Sequence, residues 1–494
     1  MHDPSSPADA ASVLEDKLSL STKLAYGAGD LGPAITANLL GVFLLFFFTS
    51  VAGLGAGLAA NILMIGKVWD AVNDPVVGTL SDRTQSRWGR RHPWMIFGAI
   101  PFGIFFFLQW LVPRFSNNPV TNQWGLFWYY IGISILFNTF YTAVNLPYTA
   151  LTPELTQDYN ERTNLNSFRF AFSIGGSILS LVLALVIFNT VKGDSAQQYL
   201  VLAGVCTILS VLPLYWCVWG TRKRVAVTER QRQASSDGTE PLPYVEQLRI
   251  VFSNRAFLFV VGIYLCSWIA VQNTVAVIPY FVVNWMGLSQ NTFTQVVLVI
   301  QVTALIMLFV WSRVSERLGK KAVYFMGMSL WIIAEIALFF LQPGQTLLMF
   351  VLAFLAGFGV STAYLIPWSM MPDVIELDEL QTGQRREGIF YGFMVLLQKV
   401  GLAFGLFMVG KVLDGAGFVA TTAGQTPPQQ PESALLAIRY LVGPLPLAFL
   451  LLGLGLAYFY PITREVHAEI LLKLRERKAN QATSPNSDAP ELNP

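Results

Sequence analysis

The chain has 494 residues, of which 54% are hydrophobic and 13% are charged, and its formal net charge is +2. A soluble domain carries about 25% charged residues, so this composition excludes a soluble globular protein. The basic residues lie in short stretches between apolar runs, which excludes a nucleic-acid-binding face. The three cysteines fall inside apolar runs and the three histidines are scattered, so we expect neither a disulfide framework nor a transition-metal centre.

Twelve apolar runs follow one another along the chain, and each is long enough to cross a hydrocarbon layer of about 30 Å as a helix. The runs lack the period-two alternation of barrel strands. We therefore predict an all-α polytopic membrane protein. The predicted helices cover residues 24–52, 56–80, 94–113, 125–151, 166–189, 198–219, 256–284, 290–312, 322–342, 347–371, 388–412 and 435–462.

The placement of positive charge predicts how the chain is oriented in the bilayer. If both termini are cytoplasmic, nearly all of the Lys and Arg residues outside the helices lie on the inner side, and only Arg114 and Lys192 lie outside. Positive charges accumulate on the cytoplasmic side of membrane proteins. Residues 1–22 have no apolar core, so no cleavable signal is expected. The sequence thus predicts a multi-pass protein of the cell inner membrane with both termini in the cytoplasm.

Two pairs of segments repeat between the halves of the chain. TAVNLPYTALTPEL (142–155) ends the fourth helix and TAYLIPWSMMPDVI (362–375) ends the tenth. SDRTQSRWGRR (81–91) follows the second helix, and WSRVSERLGKK (311–321) follows the eighth. These matches favour a parallel duplication. We predict an N-terminal tail at 1–22, six-helix bundles at 23–220 and 256–462, a central loop at 221–255 and a C-terminal tail at 463–494.

The second predicted helix carries charges in the middle of an apolar run. Asp70 and Asp74 are four residues apart, so their carboxylates share one helical face, with Asn73 beside them. Two close carboxylates repel in a low dielectric, and a bound cation relieves the repulsion. Oxygen ligands suit hard ions such as Na⁺, and Thr142 can add another oxygen. The alternative is that Lys67 simply neutralises one of the two carboxylates.

Other polar or aromatic residues in the predicted helices are candidates for contact with a substrate. Arg169 and Lys399 are isolated cations, one in each half, and suit a substrate contact or a gate. The alternatives are that they extend to the membrane surface or pair with the acids of the second helix. The amide of Asn145 and several aromatic side chains can line a cavity, although core packing is the alternative at each position. Glu335 is isolated in the ninth helix, and its role stays open. The aromatic candidates are Tyr26, Tyr148, Trp368 and Tyr391.

Several segments in the right order resemble one transporter family. They include STKLAYGAGDLGP (21–33), KVWDAVNDPVVG (67–78), SFRF (167–170) and REGIFYGFMVLLQKVG (386–401). They resemble the glycoside-pentoside-hexuronide:cation symporters, a branch of the major facilitator superfamily that includes the melibiose carrier. The resemblance implies two six-helix bundles that alternate access to a site at their interface.

The resemblance also implies roles for individual residues. It makes Asp70, Asn73, Asp74 and Thr142 ligands of Na⁺, and it makes Arg169 and Lys399 counterparts of two basic residues, the first a substrate contact. It places Arg385 and Glu387 in a segment that closes the inner gate. Two departures concern the sugar: the family's galactoside-binding aspartates align with Ala34 and Asn145. An amide still hydrogen-bonds a hydroxyl, whereas alanine does not.

Together these features predict a secondary transporter for cation-coupled symport of a sugar or glycoside, with Na⁺ favoured and H⁺ left open. Uptake of a lysophospholipid or another amphiphile is the alternative. A non-transporting sensor or a membrane enzyme is more remote, because no nucleophile lies near a base and no phosphate-binding loop is present. We expect no enzyme activity and no cofactor besides the coupling ion. The expected partners are a small-molecule substrate, the coupling cation and the lipid bilayer, without nucleic acid.

Overall fold

The computed structural model describes residues 18–86, 88–156, 159–234, 244–383, 386–422 and 428–483. Within these ranges the chain is almost entirely α-helical, and the only β pairing is an isolated bridge between Ala52 and Thr422. The predicted all-α fold class is confirmed.

Among the described residues, eight helices precede residue 235. They are α1 (Leu20–Ala28), α2 (Leu31–Ser50), α3 (Ala56–Arg83), α4 (His92–Leu108), α5 (Pro119–Thr149), α6 (Thr152–Leu155), α7 (Tyr159–Thr190) and α8 (Ser195–Ala234). The first predicted helix is split into α1 and α2 at Gly29 and Asp30. This break lies inside an apolar run and places an acidic side chain there.

Nine more helices follow in the described part of residues 244–483. They are α9 (Tyr244–Ser253), α10 (Arg255–Tyr280), α11 (Gln290–Leu318), α12 (Lys320–Phe340), α13 (Thr346–Thr382), α14 (Glu387–Gly415), α15 (Glu432–Val442), α16 (Pro444–Phe459) and α17 (Arg464–Thr483). A π-helical segment, Phe281–Trp285, extends α10. The helix is interrupted at Gly443, between α15 and α16, and Pro444 is the first residue of α16. Proline is well tolerated there because the first backbone N–H groups of a helix have no hydrogen-bond partner within the helix.

Each of the twelve predicted helices coincides with an observed helix or with two consecutive ones. In the part of the chain that the structure describes, nine segments are long and apolar enough to cross a membrane by length and composition. Helices α3, α4 and α5 are not among them: α4 has 17 residues, and α3 carries the charges noted above. The predicted central loop is partly helical, because α8 continues to Ala234 and α9 begins at Tyr244.

Helices from the two halves of the chain meet along three seams, between α2 and α10, α3 and α14, and α7 and α11. The α3–α14 seam is tight, since a Cβ on Gly410 would lie 2.4 Å from the Cβ of Ala60. Hydrogen bonds also cross between the halves, near the C-terminal ends of α2 and α7 and in the first half of α2. They join Thr49 to Tyr280, Asn38 to Gln301 and Asn189 to Asn291.

Candidate functional site

The two carboxylates of α3 lie together beside a hydroxyl of α5. The side chain of Asp70 is 2% exposed and that of Asp74 is 25% exposed. The Thr142 hydroxyl lies 3.1 Å from Oδ1 of Asp70 and 3.0 Å from Oδ1 of Asp74, so it sits between the two acids. A hydroxyl has one hydrogen and two lone pairs, and it therefore donates to one carboxylate at a time. The structure brings these three predicted residues to one place.

Lys399 reaches this carboxylate pair from the other half of the chain. Its Nζ lies 2.5 Å from Oδ2 of Asp74 and 3.1 Å from Oδ2 of Asp70. Lys67 is farther away, at 3.8 Å from Oδ2 of Asp70, and it also donates to Oδ1 of Asn138 at 3.4 Å. Two lysines therefore balance two carboxylates. From the sequence, Lys399 is a predicted substrate contact. In this structure its ammonium group instead contacts both carboxylates of the predicted cation site.

Two polar atoms close to this cluster in sequence are buried without a partner. Among the atoms that the structure describes, Nδ2 of Asn73 and Oδ1 of Asn145 meet no hydrogen-bond partner. Asn145 follows Thr142 by three residues on α5, so both side chains lie on one face of that helix. A buried polar group without a partner costs about 1–3 kcal/mol. The Asn145 oxygen is therefore available to a cation, a water molecule or a substrate donor, whereas the Asn73 amide nitrogen is available only to a hydrogen-bond acceptor.

The oxygen donors of this cluster suit a hard monovalent cation. Carboxylate, hydroxyl and amide oxygens are the ligands that such ions take, whereas no thiol or imidazole is among the residues described above. An ammonium group and a monovalent cation carry the same charge. Lys399 and a bound ion would thus compete for the same carboxylate oxygens, and the geometry supports binding in exchange for the lysine.

A second charged pair involves a residue that the sequence analysis missed. Nε of Arg169 on α7 lies 3.4 Å from Oδ2 of Asp30, which stands at the break between α1 and α2. The guanidinium group also lies over the rings of Tyr148 and Phe170, at 5.9 and 5.7 Å. The sequence does contain a sign of this pair, because Asp30 is an acidic residue inside the first apolar run, one helical turn before Ala34. Arg169 is therefore paired rather than isolated.

One tyrosine of α5 lies near both charged clusters. The phenol of Tyr141 on α5 lies within electrostatic reach of Asp30 and Arg169 and also of Asp70 and Asp74. Tyr141 precedes Thr142, and nothing in the sequence pattern distinguished it from other aromatic residues. Tyr141 therefore lies near the lysine–carboxylate cluster and near the Asp30–Arg169 pair.

Tyr26 and Tyr148 pack inside the first half of the chain. Both are fully buried, and their rings stack with centroids 5.2 Å apart. The hydroxyl of Tyr26 hydrogen-bonds Thr152 at 2.5 Å, and that of Tyr148 donates to the backbone oxygen of Tyr26 at 2.8 Å. The hydroxyl group of each tyrosine thus has a hydrogen-bond partner within the first half of the chain. This corrects the expectation that both tyrosines line a substrate cavity.

The remaining candidates lie in the second half. Trp368 is partly buried and stacks on Tyr391 with ring centroids 6.2 Å apart, so this pair keeps its predicted place beside a cavity as a hypothesis. Arg385 lies outside the described residues. Glu387 begins α14, and its side chain is likewise not described.

Glu335 lies apart from these clusters, in the core of the second half. It is fully buried, and its Oε1 accepts hydrogen bonds from Trp331 at 2.6 Å and from Thr274 at 3.1 Å. These contacts place Glu335 with its neighbours on α10 and α12. The sequence left its role open, and it does not belong to the carboxylate site.

Residues 25–464 match the family described as MFS/sugar transport protein. The chain belongs to this family. An uncharacterized symporter of Synechocystis sp. is 51% identical, over 95% of this chain and 99% of that protein. The sodium-dependent lysophosphatidylcholine symporter 1 of Gallus gallus is 28% identical, over 97% of this chain and 93% of its own length. The chain is accordingly a multi-pass membrane protein of a symporter family and not an enzyme.

Solved transporters share the fold. A D-xylose-proton symporter aligns with a TM-score of 0.61 at 16% identity, covering 89% of this chain and 96% of that one. The nucleoside transporter NupG aligns with a TM-score of 0.56 at 13% identity, covering 92% of this chain and 100% of that one. At such identities the likeness shows the major facilitator fold alone.

Proposed function

We propose that this symporter couples Na⁺ to the uptake of a sugar or glycoside by alternating access, with both termini in the cytoplasm. The observation that carries the proposal is the contact of Lys399 with Asp70 and Asp74 across the α3–α14 seam. An ion pair that spans the two halves of a transporter connects the occupancy of the cation site to the relative position of those halves.

The cost of an unpaired buried charge explains how the ion drives the change. Removing one partner from a buried ion pair costs about 3–5 kcal/mol. Asp70 and Asp74 therefore release Lys399 only when another cation replaces it. Na⁺ fits this exchange because it brings the same charge to the same oxygens, while Thr142 and Asn145 provide neutral oxygen ligands.

The freed lysine explains why Na⁺ and substrate bind together. When Na⁺ occupies the carboxylates, the ammonium of Lys399 has lost its partners and needs new acceptors. Substrate hydroxyls can supply them. Binding of Na⁺ thus raises the affinity for substrate, and substrate raises the affinity for Na⁺ by the same factor.

The Asp30–Arg169 pair suits a polyhydroxylated substrate. A carboxylate accepts hydrogen bonds and a guanidinium group donates them, so together they bind neighbouring hydroxyls of one ring. Trp368 offers a ring for stacking. Asp30 lies one helical turn before Ala34, where the related galactoside carriers have a carboxylate. A displaced acid of this kind favours a sugar other than a galactoside such as melibiose.

A lysophospholipid is the second candidate substrate. The relative from Gallus gallus is a sodium-dependent lysophosphatidylcholine symporter, and it matches nearly the whole chain. Arg169 is also the type of side chain that binds a phosphate group with two hydrogen bonds. In this alternative Asp30 would face the cationic part of a zwitterionic headgroup.

A thermal-shift screen of the purified protein separates the two candidates. Panels of mono- and disaccharides and of lysophosphatidylcholines are compared in Na⁺ and in choline buffers. We expect a sugar to raise the unfolding temperature more in Na⁺ than in choline. Lysophosphatidylcholine should not compete with the sugar for binding. A Na⁺-dependent shift with lysophosphatidylcholine alone would support the second candidate. The absence of any Na⁺ effect would contradict Na⁺ coupling.

A further inference from the structure

The two halves carry related charge clusters at the end of the molecule where α3 and α13 end. In the first half, Nε of Arg90 and Nε of Arg91 each lie 2.8 Å from Oε1 of Glu154. Both guanidinium groups also approach Oδ1 of Asp82, at 3.6 and 3.5 Å. Two arginines therefore face two carboxylates, and these four charges balance.

The second half builds the cluster differently. Nζ of Lys320 lies 2.6 and 2.8 Å from the two carboxylate oxygens of Asp373. Nε2 of His467, on the C-terminal helix α17, lies 2.6 Å from Oε2 of Glu376 and 3.3 Å from Oδ1 of Asp373. Here two carboxylates face one lysine and one histidine.

Alignment of the repeated segments shows how the basic residues of the second cluster differ from those of the first. In the duplication, Arg90 and Arg91 correspond to Lys320 and Lys321, and Glu154 corresponds to Asp373. Lys321, however, donates to the backbone oxygen of Tyr458 at 2.5 Å. His467 therefore stands where the first half has its second arginine. The cluster balances its charges only when this imidazole is protonated.

We propose that His467 is a proton-operated latch that docks α17 on the end of α13. Histidine is the side chain whose charge ordinarily changes between pH 5 and 8. When protonated, His467 donates a charge-assisted hydrogen bond from Nε2 to Glu376 and places its positive charge 3.3 Å from Asp373. A charge-assisted hydrogen bond is about twice as strong as a neutral one. When neutral, it leaves one uncompensated negative charge on a cluster in which the side chain of Asp373 is only 6% exposed.

Two other contacts of α17 are made by arginines, whose charge does not change between pH 5 and 8. Nη1 of Arg464 donates to the backbone oxygen of Arg317 at 2.7 Å, and Nη1 of Arg477 donates to that of Leu380 at 3.3 Å. Arginine stays charged at any accessible pH. These contacts hold α17 in place independently of pH, and His467 adds the pH-dependent part.

The titratable and charged groups that face His467 come from α12, α13, the segment after α16 and α17 itself. On α13, Asp378 is paired with Arg386 at 2.7 Å, and Glu379 lies farther along the helix. On α12 the facing group is Lys320, and Tyr460, after α16, lies within electrostatic reach of Asp373. The remaining charged residues of α17 with described side chains are exposed: Glu465, Glu469, Lys473, Arg475 and Glu476.

Hydrogen–deuterium exchange of the full-length protein in nanodiscs tests the latch. The readout is the protection of peptides from residues 464–477 at pH 6.0 and pH 8.5, in EDTA, after correction for intrinsic exchange. We expect protection to fall about tenfold at the higher pH, since a charge-assisted contact is worth about 1.5 kcal/mol more than a neutral one. Equal protection at both pH values would overturn the proposal.

Variants at His467 and a matched control sharpen the test. His467→Arg should stay protected at both pH values, and His467→Gln should be weakly protected at both. Arg464→Gln should lose protection by the same factor at each pH and keep the pH dependence. A pH dependence that persists in His467→Gln would overturn the proposal. So would zinc-dependent protection at pH 8.5, because it would make the cluster a metal site.

Discussion

Lys399 on α14 and Asp74 on α3 are 325 residues apart in sequence, and their side chains form an ion pair 2.5 Å long between the two halves of the protein. Asp70 shares the same lysine at 3.1 Å. Because the lysine and the carboxylates belong to different halves, the cation bound by the carboxylates affects the contact between α3 and α14. A cation that replaces Lys399 alters the contact between the halves as well as the charge of the site.

Removing either carboxylate should weaken the response to Na⁺. In Asp70→Asn and Asp74→Asn, we expect the Na⁺ concentration for half-maximal stimulation of uptake to rise at least about tenfold, which corresponds to about 1.4 kcal/mol. The physical reason is the loss of a charged oxygen ligand. Asp194→Asn is the control, because that exposed residue precedes α8 and an amide oxygen can replace its cap. Undiminished stimulation in the first two variants would exclude them as ligands.

The Asp30–Arg169 pair should govern substrate affinity without affecting Na⁺ alone. In Arg169→Gln we expect substrate affinity to fall at least about tenfold, since the guanidinium donors are lost and charged hydrogen bonds contribute about 1.5–3 kcal/mol. The Na⁺-induced shift in unfolding temperature should be unchanged. Binding of the sugar identified in the thermal-shift screen measures the effect, with Asp30→Asn expected to act in the same direction. Unaltered sugar affinity in both variants would rule out this pair as the substrate contact.

The tight α3–α14 seam should not tolerate a larger side chain at Gly410. A Cβ at this position would lie 2.4 Å from Cβ of Ala60 and 3.0 Å from the backbone oxygen of Ala56. Overpacking of this kind costs about 1–3 kcal/mol, so Gly410→Val should lower the unfolding temperature of the Na⁺-free protein. Gly415→Val, on the same helix, is the matched control because a Cβ there meets open space. Equal unfolding temperatures for the two variants would contradict the close packing of this seam.

The sequence predicts local features of this protein well. Twelve apolar runs identify the helices because bilayer thickness fixes the length of apolar chain that each needs. The face shared by Asp70 and Asp74 follows from helical spacing alone. Thr142 could be placed near them through the family resemblance, and the structure brings the three together.

The pairing of distant residues was beyond the sequence pattern. For Lys399, the sequence offers pairing with the acids of α3 only as one alternative among several, and the structure shows that contact. Asp30 stands at the break after α1, where it contacts Arg169. Tyr26 and Tyr148 look like any aromatic residues near a helix end, and only the packing shows them buried against each other. Such contacts depend on how helices are arranged, which periodicity does not encode.

A Na⁺ titration of purified variants measures whether Na⁺ and Lys399 compete for the carboxylates of Asp70 and Asp74. The Na⁺ dissociation constant is measured from the Na⁺-dependent unfolding temperature for the unmodified protein, Lys399→Gln and the matched control Lys67→Gln, whose lysine lies 3.8 Å from Asp70. We predict that Lys399→Gln binds Na⁺ at least about tenfold more tightly, with a smaller change in Lys67→Gln. Equal or weaker Na⁺ binding in Lys399→Gln would contradict the exchange of the lysine for the ion.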